Sequence, residues 1–415
     1  MKMNDGLNKS ELGYSEGRLP LISAFGVSCV LLFLLFSLFR QFLIPFGDEP
    51  DFMVKAPELI KQEHFWWSPY YYLKDILSNI NYISDCKVDS GSMTIWSSIG
   101  SRSCNQGLEQ GLLRYFLTII VTVPLLFAVI FRRWFAVLLK VVWLKKKTDN
   151  WTHQLDALSL ALISPGLVYY LSVLSPEQFV FVLSLFVFLV WDWFVAVIMI
   201  VLLITAQDIG NGVVVVFFVV FAKVATWSCQ KFGISFTLKT ILAIILTSYF
   251  LNFRHLQILA YIPFLAAKVE AIQYVISTGI FVDEYPKIFR PILTFMSFNV
   301  FTPQFIKVIP LYLLMIGGVV LALFRLRFFY RFGRKDIHKQ LFQIFNSDLV
   351  RTLSGITVVL SLTFILPNYS NAKYYIFLMP FFISLMLWVF NKKTFQVFLI
   401  FAHIILYTAL LLFRL

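Results

Sequence analysis

Charged residues are scarce in this sequence, and their scarcity excludes a soluble domain. Only 14% of the 415 residues are Asp, Glu, Lys or Arg, whereas 59% are apolar. A water-soluble domain of this length needs far more charge to cover its surface. Lipid is therefore predicted to be the solvent for most of the chain.

The usual signatures of soluble enzymes are also absent. The five histidines have no metal-ligand spacing, and neither a glycine-rich phosphate loop nor a Ser-His-Asp arrangement can be discerned. No tandem repeat, soluble domain or low-complexity linker interrupts the apolar runs. Any chemistry must therefore be built from the loops and from the ends of the spans that hold them.

The apolar runs predict an all-α integral membrane protein with about eleven transmembrane helices, since about 20 apolar residues cross the hydrocarbon core. The 46 Phe, 18 Tyr and 10 Trp residues fit lipid-facing helices with aromatic belts at both interfaces. Residues 1–18 are predicted to be a cytoplasmic tail and 19–415 a single polytopic domain, whose first span is kept as an anchor. The predicted spans are 19–44, 112–131, 155–174, 179–206, 213–228, 240–251, 256–280, 308–324, 350–366, 374–390 and 394–413.

Three basic clusters predict the orientation. Lys and Arg gather at 132–147, 325–339 and 392–393, which the positive-inside rule assigns to the cytoplasm. The net charge of +13 is thereby a topology signal and does not indicate nucleic acid as a partner.

This orientation places the loops 45–111 and 282–307 on the external side. With both loops external, the number of spans between residues 178 and 282 must be even. Four spans satisfy this requirement when 179–206 is counted as one span, although Trp191-Asp192-Trp193 suggests that 179–206 is divided in two. Cys86 and Cys104 share the first external loop, where a disulfide and two free thiols are equally compatible with the sequence.

The first external loop is acidic within a basic protein and opens with the cluster Asp48, Glu49 and Asp51. Near the bilayer surface, partial desolvation and mutual repulsion raise a carboxyl pKa and prepare a general base. The alternative is that Asp48 or Glu49 caps a short helix with Pro50 at an early position, and the sequence favours neither.

Other external residues supply a further carboxylate and several cations. Glu177 stands in a short turn between two predicted spans, either as a second acid at this boundary or as a helix cap. Lys287, Arg290 and Lys373 are cations placed to clamp a phosphate at headgroup level, although interface anchoring is the commoner role of such residues.

Some charged residues fall inside predicted spans, and two of them, Asp192 and Lys223, are candidates for a functional role. Asp192 and Lys223 lie on consecutive predicted helices, and the cost of burying charge in lipid makes them a candidate functional pair. A structural ion pair is the commoner explanation of such a pattern.

The order of these elements resembles the GT-C superfamily of membrane glycosyltransferases. In that family an acidic motif follows the first span, as Gly47-Asp48-Glu49-Pro50-Asp51 does here, and a further acid often follows the third span, as Glu177 does. A longer external loop follows the seventh span, like 282–307, and Lys373-Tyr374-Tyr375 before Pro380 looks like the basic-aromatic-proline pattern of some members.

The resemblance implies transfer of a sugar or oligosaccharide from a polyprenyl phosphate or diphosphate donor to a glycan or lipid-linked acceptor on the external, periplasmic face. Asp48 or Glu49 would be the catalytic base, Asp51 and Glu177 would orient the substrates, and Lys287, Arg290 and Lys373 would bind the lipid phosphate. No metal site is expected from the protein residues. The sequence requires no cofactor, and a divalent cation such as magnesium or manganese is the candidate left open.

The expected setting is surface polysaccharide or lipopolysaccharide assembly in a bacterial inner membrane, with the amino terminus in the cytoplasm. Alternatives are a repeat-unit polymerase or ligase, and a transporter or flippase in which Asp192 and Lys223 form an intramembrane relay. A non-catalytic membrane scaffold is a further alternative.

Overall fold

The structure is a computed structural model, and its described part is entirely helical, with no strand among the described residues. These residues divide into two compact units. One contains the helices α2 and α3, and the other contains α1, most of α4 and every later element. The described residues are 151–162, 167, 176–207, 209–278, 286–288, 290–291, 294, 317–318, 320–328, 330–331, 339–366, 372–390 and 404.

The principal elements are eight α-helices, with three 3-10 helices at bends. In chain order they are α1 (Trp151–Ala161), α2 (Pro176–Leu189), α3 (Phe194–Gln207), α4 (Ile209–Phe232), α5 (Ile234–Phe250), η1 (Phe253–Tyr261), α6 (Pro263–Thr278), α7 (Lys339–Ile365), η2 (Ala372–Tyr374), η3 (Ile376–Leu378) and α8 (Met379–Val389).

Two of the described helices are long and apolar enough to cross a membrane, namely 210–232 in α4 and 342–365 in α7. The count rises to three if α5 and η1 are taken as one broken span. These helices support the prediction of a helical membrane protein. The first external loop and the predicted spans 19–44, 112–131 and 394–413 lie outside the described helices, so the total of eleven stays a prediction.

The predicted span 179–206 is broken at 190–193, between α2 and α3. Trp191 is buried in this break, whereas Asp192 is exposed, so the carboxylate avoids burial where the helix is interrupted. The two helices pack against each other as a hairpin. Each has 14 residues, about 21 Å of helix, which is shorter than the hydrocarbon core.

A one-residue turn at Gly233 reverses the chain between α4 and α5. Gly233 has φ 86° and ψ 165°, a conformation that is open almost only to glycine. Next to the turn, the Lys231 ammonium lies 5.1 Å from the Trp227 ring centroid and 5.4 Å from that of Phe232. Lysine with aromatic side chains is typical of a membrane interface.

Helix α7 is the axis of the larger unit. Its carboxyl-terminal end lies beside that of α5, because the Ser248 and Ser361 hydroxyls are hydrogen bonded at 2.9 Å and the Tyr249 and Phe364 rings meet at 5.3 Å. Helix α8 runs antiparallel to α7 and also packs against α1. The Thr352 hydroxyl donates to the Phe381 carbonyl at 3.0 Å and ties α7 to α8.

The segment after α5 bears on the predicted topology. The Lys287 ammonium donates to the Leu251 carbonyl at 2.8 Å, so Leu251 and Lys287 lie close together. This contact does not fit a straight crossing at 256–280, and η1 turns by 105° from the α5 axis; the span, like the total of eleven, stays a prediction. If 282–307 is external, α5 runs outward and the Gly233 turn is cytoplasmic, with Lys231 and Lys239 obeying the positive-inside rule.

Candidate functional site

The candidate site is built around the predicted external cations Lys287, Arg290 and Lys373, of which Lys287 lies at the carboxyl-terminal end of α5 and Lys373 lies ahead of α8. Lys287 is the best defined of them. Its ammonium donates to the carbonyls of Tyr249 at 3.4 Å and Leu251 at 2.8 Å, and to the side-chain oxygen of Asn252. Helix ends leave carbonyls without intrahelical partners, and a lysine there stabilises them. Lys287 thus closes the end of α5, a role the sequence prediction of a phosphate ligand missed.

Arg290 follows Lys287 by one turn, and its backbone N–H donates to the Lys287 carbonyl at 3.3 Å. Burial lowers the pKa of Lys287, and the nearby positive charge of Arg290 lowers it further. Two cations held this close favour an anion beside them, since a bound negative charge relieves their repulsion. Arg290 itself is half-buried.

Lys373 belongs to η2, at the entrance to α8. Its ammonium lies 5.4 Å from the Tyr374 ring centroid, which is cation–π distance. The neighbouring Tyr375 is fully buried and anchors this turn in the protein. In this basic-aromatic pattern Tyr375 is therefore buried inside the protein, whereas Lys373 is half-buried nearer the surface.

A small cavity joins these two segments. It has a volume of about 60 Å³, and its lining includes Pro291, which follows Arg290, and Leu378 and Met379, which follow η2. Arg351 and Thr352 of α7 line it from within the bundle. The cavity thus lies against the middle of α7, between Pro291 and the start of α8.

The predicted carboxylates are not part of this described geometry. Asp48, Glu49 and Asp51 lie outside the described residues. Glu177 is the second residue of α2, a helix that belongs to the smaller unit. Because this helix begins at Pro176, ahead of the predicted start at Phe179, both alternatives for Glu177, a second acid and a helix cap, stay predictions.

Asp192 and Lys223, the predicted intramembrane pair, differ in exposure and in their place on the helices. Asp192 lies exposed in the break between α2 and α3, whereas the prediction placed it within a continuous span. Lys223 is half-buried in the middle of α4. Their pairing stays a prediction.

A second constellation, the Asp348 cluster, lies deeper between α1, α7 and α8. The Asp348 carboxylate accepts hydrogen bonds from the Ser384 hydroxyl at 2.8 Å, the Trp388 indole at 3.0 Å and the Arg351 guanidinium at 3.4 Å. The His153 Nε2 lies 3.1 Å from the Ser384 hydroxyl and 3.8 Å from the carboxylate. The His153 ring also stacks at 4.7 Å on that of Trp388.

The direction of the hydrogen bonds excludes a hydrolase-type nucleophile in this arrangement. The Ser384 hydroxyl gives its proton to Asp348, so its oxygen accepts from His153. The same Nε2 lies 3.1 Å from the Ser384 carbonyl, which only accepts, so Nε2 carries the hydrogen. A serine nucleophile needs the opposite arrangement, with the imidazole taking the serine proton. The described geometry is that of a buried polar contact between helices.

Sequence reasoning missed the Asp348 cluster for an identifiable reason. The predicted span began at residue 350, whereas α7 begins at Lys339 and carries Asp348 and Arg351 into the bundle. Both are only 8% exposed. Their spacing of three residues on one helix face, beside an apolar run, was the available signal. The Asp348 carboxylate is 195 residues from His153 and 36 residues from Ser384 along the chain, so neither link leaves a local pattern.

Among the described residues, no three His, Cys, Asp or Glu side chains are grouped to hold a metal ion. No family model, curated protein or solved structure matches this chain. The function must therefore be argued from the membrane helices, the external cations and the order of the sequence motifs.

Proposed function

We propose that this protein is a membrane glycosyltransferase of the GT-C type. It transfers a sugar or oligosaccharide from a polyprenyl phosphate or diphosphate donor to an external acceptor, in surface polysaccharide or lipopolysaccharide assembly in a bacterial inner membrane. The observation that supports the proposal is a cavity against α7 that is lined both by Pro291, next to Arg290, and by Leu378, which follows the η2 turn of Lys373.

A lipid-linked donor explains why cations gather there. Its phosphate lies at headgroup depth, and its chain stays in the bilayer beside the helices. Lys287 also closes the end of α5, and Arg290 and Lys373 are the proposed phosphate ligands. Arginine suits this role because its planar guanidinium binds phosphate oxygens in pairs.

The reaction needs a base on the same side of the membrane. Asp48 or Glu49 takes the proton from the acceptor hydroxyl, whose oxygen then bonds to the anomeric carbon. The bond from that carbon to the phosphate oxygen breaks, and the leaving phosphate keeps the electron pair. Asp51 and Glu177 orient the substrates, and Arg290 and Lys373 stabilise the negative charge on the departing phosphate.

The test measures transfer of radiolabelled sugar from a polyprenyl-linked donor in membranes containing the full chain. We expect Asp48→Asn or Glu49→Gln to lower the rate about 100-fold or more, as loss of a general base does. Arg290→Gln should lower it about 10- to 100-fold through weaker stabilisation of the leaving group. Glu270→Gln, at an exposed residue of α6, is the matched control. Wild-type rates in both acid variants would refute the base assignment.

A transporter or flippase is the second candidate, and the Asp348 cluster favours it. Charged side chains at membrane depth commonly mark transport pathways or proton relays. In liposomes containing the protein, a transporter would move a fluorescent lipid-linked saccharide across the bilayer and lose that activity with Asp348→Asn. A glycosyltransferase would transfer sugar without moving the lipid. A repeat-unit polymerase or ligase is the alternative within the transferase class, distinguished by the length of the product.

A further inference from the structure

The helix η1 has an unusual form for its length. Runs of 3-10 helix longer than four residues are uncommon, yet η1 has nine. Its axis turns by 105° from that of α5. Where α5 crosses the membrane, a helix at this angle to it lies along the membrane surface.

The start of η1 is held by hydrogen bonds on both sides of the bend. The Asn252 backbone N–H donates to the His255 Nδ1 at 3.0 Å, and the Lys287 ammonium contacts the Asn252 side-chain oxygen and the Leu251 carbonyl. Helix α6 packs against η1 from the carboxyl-terminal side. The angle of η1 is therefore set by the protein.

The three residues per turn of a 3-10 helix arrange η1 in columns of residues spaced by three. One column points into the protein, with Phe253 only 8% exposed. A second carries the exposed polar residues Arg254 and Gln257. The third begins with the exposed His255, whose ring is held at the bend, and continues with Ile258 and Tyr261, which are 68% and 88% exposed.

We propose that η1 is an interfacial anchor whose Ile258 and Tyr261 side chains insert into the external leaflet of phospholipids. The polar column then lies at the headgroups, where Arg254 meets lipid phosphate. Interfacial helices have this division into apolar and cationic faces, and tyrosine favours the boundary between acyl chain and water. A protein partner is disfavoured because the bend positions the exposed column alongside a membrane-crossing helix. The anchor fixes the depth of the Lys287–Arg290 segment and does not depend on the proposed transferase activity.

The test uses photocrosslinking in native membranes labelled with radioactive phosphate. Benzoylphenylalanine is introduced one position at a time at Ile258 and Tyr261, with Gln257 of the polar column as the matched control. We expect phospholipid adducts severalfold more abundant at Ile258 and Tyr261 than at Gln257. Equal yields at the three positions, or protein adducts in place of lipid adducts at Tyr261, would overturn the proposal.

A second measurement covers the case in which the photoreactive variants do not fold. Ile258→Cys and Gln257→Cys, each in a full chain with its native cysteines replaced by serine, carry a fluorophore in liposomes. The label at Ile258 should be quenched more strongly by lipid quenchers near the headgroup than by quenchers at the end of the acyl chain. The headgroup quenchers should also quench the label at Ile258 more strongly than the label at Gln257. Stronger quenching from the chain end would indicate a crossing helix, and equal quenching of the two labels would indicate no orientation; either result contradicts the anchor.

Discussion

The Asp348–Arg351 pair gives a stability prediction that the structure makes quantitative. Both residues are 8% exposed, and the guanidinium lies 3.4 Å from the carboxylate. Asp348→Leu removes this counter-charge and the acceptor of the Ser384 and Trp388 hydrogen bonds. Removing one partner of a buried pair costs about 3 to 5 kcal/mol. The distance between the guanidinium and the carboxylate is long for a hydrogen bond, which favours the lower end of that range, about 3 kcal/mol.

A second substitution separates the charge effect from a general packing defect. Replacing a whole buried pair by apolar residues is often nearly neutral. Adding Arg351→Met to Asp348→Leu should therefore recover about 2 kcal/mol of the loss, which appears as coupling in a double-mutant cycle. The assay is unfolding of the purified chain in mixed detergent micelles, followed by circular dichroism.

The matched control for this prediction is Glu270→Leu, because Glu270 is an exposed residue of α6. Its effect should stay within about 0.5 kcal/mol, as for most surface substitutions. A loss below about 1 kcal/mol for Asp348→Leu would refute the buried-pair argument. So would simple additivity of the two substitutions in the double variant.

Three further predictions concern single positions. Gly233→Ala should lower the free energy of unfolding by about 1 to 3 kcal/mol, because the φ of 86° strains any side chain, whereas Gly317→Ala, with open space around it, is the control. Ser384→Ala removes the 2.8 Å hydrogen bond to Asp348 and should cost about 1 to 3 kcal/mol in the same assay, with no loss contradicting the described network. A third variant keeps Cys229 and has the other cysteines replaced by serine; a membrane-impermeant maleimide should label it only in permeabilised cells. Ile288→Cys in a cysteine-free chain should instead react in intact cells. The reverse pattern would refute the orientation of α5.

The sequence by itself determined the class of protein and the order of its charged segments. Scarce charge and long apolar runs require lipid as solvent, because helices satisfy their own backbone hydrogen bonds there whatever their neighbours are. Local pattern also placed Lys287, Arg290 and Lys373 in segments next to apolar runs. The sequence also offered a split at Trp191-Asp192-Trp193 as an alternative, because burying a charged side chain inside a membrane span is energetically costly.

Only the tertiary structure decided how the ends of the helices pair. That Lys287 closes α5 follows from a contact with Leu251 across 36 residues, and this contact does not fit the predicted straight crossing at 256–280. Hydropathy measures how apolar a segment is but carries no information about which end of it meets another segment. The Asp348 cluster has the same origin, since Ser384 and His153 become partners through packing of α1 and α8 against α7. Apolar periodicity determines the helices, whereas the pairing of distant polar groups determines their directions and the residues that meet at the site.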